Sequence, residues 1–363
     1  MKWWQKILAV ITVIIGAGLC MAYLSMFISP ATFWPAAFFG LAYLAFLIAF
    51  LLLMIPWYFL RKRIFIVQCL VIVLGWKAHF AYFGLHIFGK KPKTDDITIL
   101  QYNVQAFDAY NKDGKFKHRP DIIQNIRDAD ADIICLEEFN TYQNHPTEPS
   151  SLDMVKEACG LPYFYYYKAY ENKKATRSVG IILFSRYPIK ASGNIAYEAL
   201  SKLNSTIYAD LDINGKTIRV FVSHLQSTQL SHYDLEFIEA NDNNDTNFSA
   251  ERFTNKLKSG YSMRARQVDS ITQVIAHSPY PVISCGDFND TPVSYAYRTM
   301  SANMQDAFLH SGFGIGATYA PFPFIRIDYM LYNEDAFTVT GYRRIKDKSS
   351  DHYACISSFR LSE

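Results

Sequence analysis

The first 88 residues contain no aspartate and no glutamate. Two uncharged apolar stretches lie within them, at 7–28 and 36–60. About 20 such residues cross a bilayer as a helix. A soluble fold would have to hide both stretches completely, so they constrain the chain more than any other feature. A third stretch, 64–88, is weaker, because Lys77 and His79 interrupt it. Trp76, Tyr82 and Phe83 give it the aromatic belt of a membrane interface. The expectation is a membrane anchor at 1–88 with about three transmembrane helices. A cleaved signal peptide is the alternative for the first stretch, but no clear small-x-small site precedes the second.

Basic residues set the expected topology. Lys2 and Lys6 flank the first stretch, and Arg61, Lys62 and Arg63 follow the second. The positive-inside rule puts these on the cytoplasmic side. Three spans then place the remainder outside, as the extracytoplasmic domain of a multi-pass membrane protein. Lys90, Lys91 and Lys93 pull the other way, and a third stretch lying flat on the surface would make the domain cytoplasmic.

Residues 89–363 carry 30 basic against 33 acidic side chains. That balance lacks the basic footprint of a protein that tracks a nucleic-acid backbone. The six cysteines form no C-x-x-C and suggest no disulfide framework, zinc knuckle or redox pair.

A linker is expected at 89–95 and a domain at 96–363. Strand patterns fall at 97–104, 132–138, 179–184, 206–213, 217–225, 282–285, 327–332, 337–342 and 353–359. Asn214-Gly215 joins two of them as a hairpin. Helices are expected at 120–129, 151–158, 262–276 and 294–300, and the polar segment 226–260 reads as a loop or insertion. The fold class is α/β (α+β), with mixed, largely antiparallel strands and helices packed outside.

Six strand ends carry an acid, an amide or an imidazole. Asn103 ends ILQYNV, Glu137 and Glu138 end DIICLEEF, and His224 sits in VFVSHLQ. Asp287 and Asn289 end VISCGDFN, Asp328 lies in RIDYML, and Asp351 and His352 form SSDHYA. Gly-Asp-x-Asn alone is ordinary turn chemistry, but six such ends favour one converging site. Oxygen ligands without cysteine suit a hard cation, Mg²⁺ or Mn²⁺. There is no P-loop and no nucleophile elbow, which leaves metal-assisted attack of water on a phosphate ester.

The ordered set Asn103, LEE 136–138, SVGIILFSRYPI 178–189, SHL 223–225, GDFN 286–289, RIDYML 326–331 and SDH 350–352 resembles the endonuclease/exonuclease/phosphatase superfamily, the deoxyribonuclease-like fold. The resemblance implies a four-layer fold, a two-sheet β-sandwich flanked by helices. It implies Glu138 as the main Mg²⁺ ligand, with Asn103 helping to hold metal or phosphate and Asp351 within reach of the metal. Asp287 would orient or deprotonate the attacking water, with Asn289 on the phosphate. His352 would contact the scissile phosphate with Asp328 as its carboxylate partner, and His224 matches the family's second histidine. Arg177 is either a phosphate contact or a surface charge. Glu137 stands where the family usually has glutamine, and either perturbs the metal or points away as strand neighbours do.

The expected activity is a membrane-anchored, divalent-metal-dependent phosphodiesterase or phosphatase. Its substrate would be a lipid headgroup, a nucleic acid or a small phosphodiester, and no protein partner is indicated. A nuclease, or an inactive binding module of the same fold, are the alternatives. A transporter has little support, since Lys77 and His79 are the only notable polar groups in the spans.

Overall fold

The computed structural model describes residues 1–86, 95–109, 116–145, 147–197, 199, 201–227 and 250–362, the side chains of 250–253 excepted. Most of the expected linker 89–95, the end of the third apolar stretch and most of the polar segment 226–260 lie outside the described residues. The chain divides into two compact units.

The first unit is helical. It comprises α1 (Trp3–Ser25), α2 (Pro30–Phe33), α3 (Pro35–Leu41), α4 (Tyr43–Leu60), α5 (Lys62–Leu74) and α6 (Trp76–Tyr82). Helices α1 and α4 are long and apolar enough to cross a membrane. Their outward side chains are large and apolar, Val13 and Phe59 being 70% and 79% exposed. That is the inverse of a water-facing helix. The third stretch is not one straight helix to residue 88. It bends by 58° between α5 and α6, and the helix ends at Tyr82. The break falls at Gly75, where an added Cβ would meet the Tyr23 ring.

Two later segments also belong to this unit, the described part of Thr228–Arg266 and Asp290–Thr299. Ser262 Oγ donates to Pro30 O at 3.0 Å, and Ser25 Oγ to Val293 O at 3.2 Å. Arg264, within the expected helix 262–276, is buried and pairs with Asp290 at 2.8 Å. The helix that carries it runs Ala250–Ala276, twelve residues further toward the N-terminus than the pattern at 262–276 suggests.

The second unit is a sandwich of two six-stranded mixed sheets. In chain order its strands are β1 (Gly84–Leu85), β2 (Ile97–Asn103), β3 (Ile133–Tyr142), β4 (Tyr163–Glu171), β5 (Arg177–Ser185), β6 (Ile189–Ile195) and β7 (Thr206–Ile213). They continue with β8 (Lys216–His224), β9 (Val282–Asp287), β10 (Gln305–Asp306), β11 (Phe313–Gly314), β12 (Asp328–Tyr332), β13 (Phe337–Ile345) and β14 (Ala354–Leu361). One sheet has the order β13-β14-β2-β3-β5-β4 and the other β10-β12-β9-β8-β7-β6. The strands alternate, so each sheet has an inner and an outer face. Ile99, Ile133 and Leu183 of the first sheet meet Ile207, Val220 and Ile283 of the second in one core. On the outer face of the first sheet, Leu100, Ile134 and Leu136 pack on the helices Arg119–Asp128 and Ser151–Cys159. The latter is capped by Ser150 Oγ, which accepts from Asp153 N, and ends at Gly160 with φ +63°.

Topology brings the expected strand ends to one rim. β2 and β3 run parallel, as do β8 and β9. β14 is antiparallel to β2, and β12 to β9, so their starts meet those strands' ends. Asp328 is opposite Asp287, and Asp287 opposite His224.

The second sheet is also tied by a buried ion pair. Arg326 and Asp306 are each 1% exposed on their side chains and in contact at 2.5 Å, and the guanidinium lies 4.7 Å from the Phe308 ring. Replacing Arg326 by Met leaves a buried unpaired carboxylate. The expected loss is about 3–5 kcal/mol, read as a lowered denaturant midpoint with an unchanged slope.

Candidate active site

Asn103 closes β2. Its Nδ2 donates to Asp287 Oδ2 at 3.2 Å and faces Glu138 Oε1 at 3.3 Å, and its Oδ1 accepts from Gln105 N at 3.0 Å. One amide therefore spans the two sheets. The chain then makes a left-handed turn, with φ between +45° and +62° at Gln105, Ala106, Phe107 and Asp108. Left-handed backbone costs a non-glycine residue about 1–2 kcal/mol. The buried Phe107 ring, packed edge-on against Phe139 at 5.3 Å, holds it there.

Glu137 and Glu138 lie in a bulge of β3, where pairing with β5 jumps from Leu136 to Phe139. Glu138 takes φ +52°. The bulge breaks the simple alternation that would turn one of the two away. Glu137 does not leave the site. It is fully buried beneath it, with Oε2 accepting from Gln101 Nε2 at 3.0 Å. The same Gln101 nitrogen donates to Asp328 Oδ1 at 2.9 Å. Burial, with Cys285, Asp328 and Asp287 adding to it, raises the Glu137 carboxyl well above the ordinary range.

Gly286 has φ +141°, and a Cβ there would fall on the Ser223 backbone. Only glycine lets β9 approach β8 at this point. Asp287 follows, 1% exposed. Its Oδ1 accepts from Asn289 N at 2.8 Å and its Oδ2 from Asn289 Nδ2 at 3.2 Å. Asn289 Nδ2 also reaches Leu225 O at 3.1 Å.

Two imidazoles flank the same Asp287 oxygen. His352 Nε2 lies 3.7 Å from Oδ2 and His224 Nε2 3.8 Å, and His224 Nε2 is also 3.7 Å from Glu138 Oε1. His352 Nδ1 bonds Asp328 Oδ2 at 2.9 Å. Burial lowers the His352 pKa, but Asp328 and Asp287 outweigh it and hold the imidazole well above its ordinary value. Burial raises Asp287, with His352 opposing and Asp328 adding. Burial lifts Asp351 to about 6, where His352 opposes and Glu138 and Asp287 reinforce.

The structure thus brings Asn103, Glu138, His224, Asp287, Asn289, Asp328, Asp351 and His352 together. Arg177 opens β5 and is turned to other partners. Its Nε donates to Asn140 Oδ1 at 3.1 Å, and the guanidinium sits 5.8 Å from the Tyr142 ring. Two residues escaped the sequence reading. Gln101 is two before Asn103 and so on the same strand face, a signal that was present. Tyr319 bridges to His352, with ring centroids 5.4 Å apart, and stacks outward on Phe322. It lies in a loop with no strand or motif to mark it.

The donor set fits a hard divalent cation. Glu138 and Asp351 offer carboxylate oxygens at the rim, and Asn103 Oδ1, which accepts from Gln105 N, has a second lone pair to offer. Single donor atoms of Asp287, Asp328 and His352 also lie within 4.8 Å of one another. Asp328, however, already bonds Gln101 and His352, which leaves the rim oxygens freer.

A two-sheet sandwich with acids, amides and imidazoles at one rim defines a hydrolase of phosphoester bonds. Residues 100–352 match the profile of the Endonuclease/Exonuclease/phosphatase family, and the chain belongs to that family. Residues 5–82 match a second profile, described as a domain of unknown function (DUF8431). No curated protein matches. Among solved structures, the human Nocturnin catalytic domain with bound sulfate aligns at TM-score 0.51 and 19% identity, covering 74% of this chain and 94% of that one. An endonuclease/exonuclease/phosphatase family protein from Leptotrichia buccalis aligns at TM-score 0.51 and 14% identity, covering 74% and 100%. A humanized D. rerio TDP2 aligns at TM-score 0.50 and 15% identity, again covering 74% and 100%. These likenesses concern the fold.

The raised Asp351 pKa has a consequence for the metal-free protein. The folded state binds the extra proton between about pH 4 and 6, so this group's contribution to stability falls as pH rises through that window. Asp351→Asn removes that loss. Its unfolding free energy should exceed wild type at pH 7.5 by on the order of 1 kcal/mol after discounting for partial exposure, with a correspondingly higher melting temperature. The difference should vanish below pH 4, and calorimetry at the two pH values checks the sign.

Proposed function

We propose that the chain is a membrane-anchored, Mg²⁺-dependent phosphodiesterase that uses a water nucleophile. The observation that carries this reading is the pair of imidazole Nε2 atoms on either side of one Asp287 oxygen, 3.7 and 3.8 Å away. Glu138, Asn103 and Asp351 would hold the cation, with Mn²⁺ an acceptable substitute. Bound there, the cation supplies a Lewis acid that offsets charge on the phosphoryl oxygens.

The protein's own groups do the rest. Asp287 orients the attacking water and takes its proton, since it is buried and fixed by Asn289. Asn289, which holds Asp287 in place, stands beside the phosphate. Asp328 and Asp287 raise the His352 imidazole against burial, which favours its charged form. Its Nδ1–H is committed to Asp328, so Nε2–H points at the phosphate and stabilises the developing charge. His224 contributes a second imidazole from the opposite side. Arg177 is left out of this assignment, since its Nε is bonded to Asn140.

Three spans, with Lys2, Lys6, Arg61, Lys62 and Arg63 on the cytoplasmic side by the positive-inside rule, support an extracytoplasmic position for the hydrolase. The mildly acidic balance beyond residue 88 favours a small or lipid phosphodiester over a long nucleic acid.

Hydrolysis of bis-p-nitrophenyl phosphate by the detergent-purified chain should require Mg²⁺ or Mn²⁺. Asp287→Ala should lower kcat by about 10²–10⁴-fold, and Glu138→Gln should raise the Mg²⁺ concentration needed by at least about tenfold. Undiminished turnover in Asp287→Ala sinks the mechanism. In intact cells, externally added protease should remove the hydrolase. Cleavage only after permeabilisation would place it in the cytoplasm.

A further inference from the structure

The helical unit holds a groove of about 450 Å³ between α1, α4 and α5. Its lining is almost wholly apolar, with Gly16, Phe50 and Val67 among the residues, and it is interrupted by Gln68 and Arg63. Gln68 is 2% exposed, yet neither its Oε1 nor its Nε2 has a hydrogen-bond partner. Thr12, the other polar lining residue, is already committed. Its Oγ1 donates to Leu8 O at 2.8 Å and accepts from Trp57 Nε1 at 2.8 Å. A buried amide with both ends unmade costs several kcal/mol in an apolar medium, where no water is at hand. Something that carries both apolar chain and polar atoms completes this groove.

Charge says what kind of molecule it is. Arg63 lines the groove, with Arg61 and Lys62 preceding it, and no acidic residue occurs in the first 88 residues. The missing counter-charge is an anion. Spacing agrees. Gln68 is five residues beyond Arg63 on α5, about 7.5 Å along the axis. The polar zone of a bilayer is roughly 5–7 Å deep on each side. With Arg63 at phosphate depth, Gln68 lies where the glycerol esters begin. Basic pockets between membrane helices on the cytoplasmic side are suited to anionic lipid headgroups.

We infer that this groove is a binding site for one anionic glycerophospholipid of the cytoplasmic leaflet. An acyl chain fills the apolar lining, the Gln68 amide bonds an ester group, and the phosphate pairs with Arg63. The inference rests on the membrane reading above, and is separate from the hydrolytic site.

The test uses the full chain purified in mild detergent, with native mass spectrometry before and after addition of phosphatidylglycerol or phosphatidylcholine. The expected result is one retained phosphatidylglycerol per chain, bound at least tenfold more tightly than phosphatidylcholine. Gln68→Leu, which keeps the volume and removes the amide, and Arg63→Gln should each weaken it about tenfold. Both should leave bis-p-nitrophenyl phosphate hydrolysis unchanged, which shows that they fold. Equal binding of the two lipids, or binding indifferent to both variants, overturns the proposal. A doubled mass that Gln68→Leu abolishes also overturns it, by making a second copy the occupant. Alkaline carbonate extraction separates the two levels of failure. A chain released from membranes overturns the membrane reading and the groove together, while a chain retained without lipid overturns the groove alone.

Discussion

Three carboxyl groups, those of Glu137, Asp287 and Asp328, are at most 1% exposed at one rim of the sandwich. At 4 Å and an effective dielectric of 20, two unit charges repel by about 4 kcal/mol. Such a cluster survives only if most of its oxygens are held, Glu137 Oε1 having no hydrogen-bond partner, and if some of the charge is cancelled. Gln101 Nε2 donates to two of the three, and Asn103 Nδ2 and Asn289 donate to Asp287. His352 provides charge between Asp328 and Asp287. The donors come from both sheets, so the sandwich must close in one register for the rim to be satisfied. The apolar core between the sheets supplies most of the drive to close, and the polar rim decides how.

The same requirement explains why the site was readable from strand ends. Parallel β2–β3 and β8–β9 pairs place chain exits side by side, and antiparallel β14 and β12 add entries at the same edge. A polar residue after an apolar run therefore marks the rim each time. The edges were less readable. β6 was absent from the expected strands and β4 was given no bounds, because both are edge strands with mostly half-exposed or exposed residues. Tyr163–Glu171 has too little apolar alternation to separate packing from surface. The bulge at Glu137 and Glu138 was invisible for another reason, since it depends on the register with β5.

In the helical unit, composition located the apolar stretches but not their breaks. The third bends at Gly75, where Tyr23, fifty-two residues earlier, occupies the place of a side chain. The polar segments that join this unit from far along the chain could not be assigned by hydropathy either. Nothing in the sequence marks Arg264 and Asp290 as partners, and they become a buried pair only because the fold brings them together. An apolar window locates a membrane helix without naming what docks on its ends.

The departure at Glu137 has a physical resolution in the same cluster. Were it ionised, Gln101 would have to serve two buried anions with Asp287 close by. Burial and those neighbours instead push its carboxyl well above the usual range, which favours its neutral form. A neutral carboxylic acid differs from the family's usual glutamine by a hydroxyl in place of an amino group, with nearly the same shape. The amide that such a site ordinarily has on β3 is present one strand away, on Gln101 of β2, and it faces the acid at 3.0 Å. The same surroundings that raise the Glu137 carboxyl disfavour a second negative charge beside Glu138.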